Sequence, residues 1–214
     1  MSGVAKLVAF DMDGVLVDIV SSWVHVHRYF GVNNDHSLNA YLRGEIDDRE
    51  FIRRDVKLWK DKDPTVTIDK IRRVLETAEL MPGARETLAE LRARGIKSVI
   101  VSAGIDLLAE RVARELSIDM YFANGFVADC TGKLVGDDIL NVGLAGKGEV
   151  VTRAAGLFGV DKEDVVSVGN SRYDIPMFDA SACGLAFCPE DEEVRDRADH
   201  VIEEKDLREI LRFV

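Results

Sequence analysis

A chain of 214 residues is long enough to bury one sizeable core and leave room for a small inserted unit. Hydrophobic residues make up 47% and charged residues 31%, the balance of an ordinary globular chain, and no apolar stretch reaches bilayer length. The net charge of -11 argues against a general nucleic-acid binder, which carries a basic face, yet permits a phosphorylated substrate wherever a metal and a lysine reverse the local field.

The first element is the apolar run Leu7-Val8-Ala9-Phe10, which ends abruptly in Asp11-Met12-Asp13-Gly14. Such a run reads as a buried parallel strand, and the residues just past its carboxyl end are where open α/β sheets place ligands. Two carboxylates two positions apart repel each other unless a cation lies between them, so the pair implies a hard metal such as Mg2+, with one acid free as nucleophile or base. The plainer reading is an Asp-Gly turn with both acids solvated. No basic, cleavable leader precedes the strand, and Cys130, Cys183 and Cys188 have no metal-type spacing. Free thiols in a cytoplasmic protein are therefore expected.

From about residue 19 to 80 the character changes. Trp23, Val26, His27 and Phe30 share one helical face, Phe51, Ile52, Val56 and Trp59 share another, and a further helix runs over Thr67 to Glu76. No strand is legible there, and Met81-Pro82-Gly83 closes the stretch. The two tryptophans read as core of this insert, and Arg53-Arg54 and Arg72-Arg73, on their own, as solvated helix faces rather than anion sites. Alternation follows: a helix over Ala84 to Arg94 stopped by Gly95, a strand Lys97 to Ser102, a helix Asp106 to Leu116, and a short strand Met120 to Ala123. Then come a hairpin around Cys130-Thr131-Gly132, a helix from Lys147 to Phe158, and a strand Val165 to Gly169. Two edge strands, Leu185 to Phe187 and His200 to Ile202, precede a terminal helix Lys205 to Arg212. The predicted fold class is α/β, a doubly wound, mostly parallel sheet. Residues 1-18 and 81-214 would form the core and residues 19-80 a small helical cap inserted after the first strand. The sequence leaves oligomeric state open.

The carboxyl ends of parallel strands lie on one edge of such a sheet. Asp11 and Asp13, Ser102, Lys147, and Asn170 with Asp174 can therefore converge although far apart in sequence. Singly, each has a plainer role: Ser102 as a helix cap, Lys147 as a solvated lysine, Asn170 and Asp174 as turn and helix-start residues. Together they suit phosphoryl transfer: a carboxylate to attack phosphorus, a hydroxyl and backbone amides to hold its oxygens, a lysine and Mg2+ to neutralise charge, and an acid to protonate the leaving oxygen.

In this pattern the chain resembles the haloacid dehalogenase superfamily, most closely its phosphoserine phosphatase-like branch. Four segments carry the likeness: Asp11-Met12-Asp13-Gly14-Val15-Leu16, Val99-Ile100-Val101-Ser102-Ala103-Gly104, Lys147 within Ala145 to Glu149, and Gly169-Asn170-Ser171-Arg172-Tyr173-Asp174. The resemblance implies Asp11 as nucleophile, Asp13 as general acid/base, and Ser102, Ala103 and Lys147 as binders of the phosphoryl group. It implies Mg2+ held by Asp11, Asp13, Asn170 and Asp174, and a cap that closes over a small phosphorylated metabolite, without nucleic-acid or membrane partners. Cap arginines Arg53 and Arg54 are the expected contacts for a substrate carboxylate. Two positions depart from the pattern: Asn170 stands where an aspartate is usual, and Val20 where phosphoserine phosphatases carry a glutamate for the substrate amine.

Overall fold

A computed structural model describes residues 5–214; the first four residues of the expected core segment lie outside the described residues. The strands are β1 (Leu7–Phe10), β2 (Lys97–Ile105), β3 (Met120–Ala128), β4 (Leu134–Ile139), β5 (Val165–Gly169), β6 (Cys183–Phe187) and β7 (His200–Ile202). They form one sheet of order β4-β3-β2-β1-β5-β6-β7 in which only β4 runs antiparallel to its neighbour. This is the expected doubly wound sheet. β1 lies between β2 and β5, with Phe10 level with Ile100 on one side and Val168 on the other. The strand order reverses there, which opens a crevice at the carboxyl ends.

The helices are α1 (Ser22–Phe30), α2 (Asp35–Leu42), α3 (Asp48–Lys62), α4 (Ile68–Leu75), α5 (Ala84–Ala93), α6 (Asp106–Leu116), α7 (Lys147–Phe158), α8 (Ile175–Asp179) and α9 (Glu192–Arg197). β1 is apolar at every position because both of its faces are covered. Val8 and Phe10 join the layer that holds Leu88, Leu91, Leu108 and Val112 of α5 and α6. Leu7 and Ala9 join Val151, Ala154 and Met177 of α7 and α8 on the other.

Helices α1 to α4 form a cap over the carboxyl edge. Its two connections run side by side: Asp18 donates its amide to the Glu79 carbonyl, and Met81 to the Leu16 carbonyl, each at 2.9 Å. Within the cap, Asp47 caps α3 by accepting the Glu50 amide at 2.8 Å. The Trp59 side chain is fully buried, stacked on Trp23 with centroids 5.6 Å apart. Among the described residues no helix is long and apolar enough to cross a membrane.

Several local expectations are corrected. β6 is an interior strand, paired with β5 and β7 and buried throughout; only β4 and β7 are edges. β2 continues through Ala103-Gly104, and β3 runs on to Ala128 as one arm of the hairpin. The terminal element is a 3₁₀ helix over Leu207–Arg212.

Candidate active site

The floor of the crevice is built from strand ends. Asp11 follows β1 and is buried; its Oδ1 accepts the Met12 amide at 2.7 Å and lies 3.0 Å from Lys147 Nζ. Lys147 opens α7, and its side chain, 3% exposed, also donates to Asp174 Oδ1 at 2.6 Å. The second Asp174 oxygen accepts the amides of Asn170 and Ser171 at 2.9 and 3.0 Å. Lysine and two acids thus form a buried triad with net charge of about -1. Burial first, then Asp174, raises the Asp11 carboxyl to about 7, against the opposing pull of Lys147. Burial alone would lower the Lys147 ammonium, but the two carboxylates outweigh it and hold the lysine charged.

Asp13 stands apart from the triad. Ser22, at the start of α1, donates both its amide (2.7 Å) and hydroxyl (2.8 Å) to Asp13 Oδ2. The other oxygen, Oδ1, is buried and has no hydrogen-bond partner among the described residues. Burial raises this carboxyl above the usual carboxylate range, against the Ser22 hydrogen bonds. The Ser102 hydroxyl, 2% exposed on β2, accepts the Gly104 amide at 3.1 Å. The Ala103 carbonyl accepts Trp23 Nε1 of the cap at 3.0 Å. Asn170 follows β5 and donates from Nδ2 to Glu190 at 3.2 Å. It packs on Gly14, whose φ of +76° and closeness to Asn170 Nδ2, 2.2 Å from where a Cβ would sit, both require glycine.

These groups line one cavity of about 380 Å³. Asp11, Asp13, Ser102, Ala103, Lys147 and Asn170 all reach it; Asp174 lies directly behind Lys147 and Asn170. Arg53 and Arg54 do not reach it. Arg53 turns outward to Asp137 (3.1 Å) and Asp138 (2.7 Å) beside β4, and Arg54 pairs with Glu50 at 2.8 Å. The reason is helical rotation: α3 buries Ile52, Val56 and Trp59, and the two arginines fall off that stripe. Asp55 lies on the stripe and does line the cavity, as do Asp48 and Asn34. The sequence reading missed these three, together with Ser22 and Glu190. For Asp55 the signal was present, three residues after Ile52 and four before Trp59. Trp23, read as cap core, also lines the cavity, and Val20 sits at its mouth, 61% exposed.

A family model for haloacid dehalogenase-like hydrolases matches residues 5–181, and the chain belongs to that family. Within it the chain is phosphoserine phosphatase-like. It is 32% identical to the phosphoserine phosphatase of Methanocaldococcus jannaschii, over 98% of this chain and 97% of that one. It is 30% identical to the phosphoserine phosphatase of Wolinella succinogenes over 96% and 98% of the two chains. Among solved structures, a substrate-bound phosphoserine phosphatase complex superimposes with a TM-score of 0.84 at 30% identity over all of both chains. A phospho-aspartyl intermediate analogue of phosphoserine phosphatase does so at 0.83 and 31%, over 99% and 100%.

Proposed function

We propose that the chain is a Mg2+-dependent phosphomonoesterase that works through an aspartyl-phosphate at Asp11 on a small phosphorylated metabolite. The observation that carries this reading is the division of the two acids. Asp11 is locked beside a buried cation, while Asp13, 2 residues on, is held by Ser22 with one oxygen free toward the cavity. In the first step an Asp11 oxygen attacks phosphorus, the ester P–O bond breaks, and Asp13 gives its proton to the departing alkoxide. Water then attacks phosphorus and gives a proton to Asp13, the bond to Asp11 breaks, and phosphate leaves. The raised Asp13 carboxyl suits the role of acid, because burial favours its protonated form. Lys147 and the Ser102 hydroxyl face the phosphoryl oxygens, and the cap excludes water until transfer is complete.

The donor set fits a hard cation. Asp11, Asp13 and the Asn170 side-chain oxygen are all oxygen ligands, and a magnesium ion that keeps several waters needs only one or two carboxylates. No group of three or more His, Cys, Asp or Glu gathers as a metal cage among the described residues, in keeping with asparagine at position 170. Both oxygens of Asp174 are committed to Lys147 and to amides, so its part is to orient those groups. When bound, magnesium supplies positive charge against Asp11 and the phosphoryl oxygens. A cytoplasmic setting belongs to the same proposal and is supported by three free cysteines.

Hydrolysis of p-nitrophenyl phosphate, measured with magnesium and with EDTA, tests the reading. Turnover should need the metal and fall about a thousandfold or more in Asp11→Asn. Undiminished turnover in Asp11→Asn would remove the covalent route.

A further inference from the structure

The upper half of the cavity differs in charge from what a carboxylate-bearing substrate requires. Trp23, Val24, Leu38, Phe51 and Ile52 give it apolar walls, and Asp48 and Asp55 are its charged groups. Neither acid meets a cation. Asp48 Oδ1 accepts the Leu144 amide at 3.0 Å and the Tyr41 hydroxyl at 3.3 Å. Burial first, then Asp48, pushes the Tyr41 phenol up to about 12, so it remains a neutral donor. Asp55 is buried and accepts Asn34 Nδ2 at 3.2 and 3.1 Å, with His27 Nε2 at 3.3 Å. Trp59 Nε1 donates to His27 Nδ1 at 2.7 Å. An indole N–H can only donate, so Nδ1 holds the lone pair, and Nε2 lies near Asp55 without making a hydrogen bond to it. Lys147 is the one cationic residue among the described residues lining the cavity, and it is spent on Asp11 and Asp174. Arg53 and Arg54 face away, and Val20 offers no charge. At the other end of the same cavity the buried, unpartnered Asp13 Oδ1 marks a space built to take a ligand.

Resting on the hydrolase reading above, we propose that this cavity selects phosphomonoesters that carry an ammonium group and no carboxylate. The phosphoryl group sits on the floor, the carbon chain crosses the apolar walls, and the ammonium meets Asp48 and Asp55, beside the face of Trp23. A carboxylate in that place would face two acids of like charge in a poorly hydrated space, without a cation to answer it.

Phosphoethanolamine and phosphoserine differ by one carboxylate, and n-propyl phosphate replaces the ammonium by a methyl group, so the three isolate the two charges. With magnesium present, kcat/KM for phosphoethanolamine should exceed that for each of the others by about tenfold or more. Asp55→Asn should narrow the ratio of phosphoethanolamine to phosphoserine by about tenfold, and Asp48→Asn should narrow it in the same direction. A ratio of rates is unmoved by a loss of folded protein, and Asp48, only half-buried, keeps the test alive if the Asp55 variant does not fold. Phosphoserine turned over as well as phosphoethanolamine, with p-nitrophenyl phosphate hydrolysed normally, would overturn this proposal and leave the hydrolase reading intact. Absence of turnover on all four esters would overturn the hydrolase reading and this proposal with it. Ratios unchanged in both variants would overturn the assignment to Asp48 and Asp55.

Discussion

The floor and the roof of the cavity are built on different physical terms. On the floor the polar groups are fixed chiefly by the ends of strands and helices: Asp11 by the end of β1, Asn170 by the end of β5, Lys147 by the start of α7 and by two carboxylates, with Asp13 held by Ser22. The roof is made of short helices whose inner faces are set by packing, and its two acids are held by neutral donors. Chemistry that must act on any phosphate ester resides where backbone topology dictates position. Choice among esters resides where one turn of a helix or one side chain can change it.

The sharpest test of this contrast is on the floor. Lys147→Met leaves Asp11 and Asp174 as buried acids with no cation between them, and should cost about 3–5 kcal/mol of stability by urea unfolding. A loss no larger than that of a surface lysine would mean the triad is not the fixed element described. On the roof, Trp59→Phe removes the donor to His27 and opens a gap beside Trp23; about 2 kcal/mol should be lost. The preference for an ammonium ester should weaken with it, which a stability loss alone would not produce.

Smaller effects sharpen the same division. Asn170→Asp adds a charged oxygen on the floor and should lower the magnesium concentration for half-maximal activity by about three- to tenfold, read by metal titration. An unchanged titration would place the ion away from Asn170. At the seam, Arg72 of α4 pairs with Glu110 of α6 at 2.8 Å, close to the half-buried Asp106. Burial raises the Asp106 carboxyl to about 6, above its ordinary 3.8. The folded chain therefore binds this proton more tightly than the unfolded chain. The contribution to stability is full below pH 4 and is lost as pH rises through 6. Asp106→Asn should remove that decline, a gain of about 1 kcal/mol at pH 8 and almost none at pH 4, followed by thermal melts at both pH values.

The same division governs how much could be read from sequence. β1, β2 and β5 are short apolar runs ending in polar residues, and their alternation with helices gave the sheet and brought Asp11, Ser102 and Asn170 to one edge. α2 was not legible because Asp35-His36-Ser37-Leu38-Asn39-Ala40-Tyr41-Leu42 carries too few apolar residues to mark a face. β6 looked like an edge because its Cys183-Gly184 start hid its length, and only the pairing with β7 shows that it is covered. The roof residues were harder still. Arg53, Arg54 and Asp55 are neighbours in sequence, and about 100° of rotation per residue decides which one faces the substrate.

The paired segments at Leu16 to Asp18 and Glu79 to Met81 carry the chain into and out of the roof side by side. A unit whose two ends emerge side by side can be lengthened, trimmed or traded for another without stretching the strands beneath. The fold thus carries its specificity on an inserted part that can vary, provided the start of its first helix still holds Asp13 as Ser22 does.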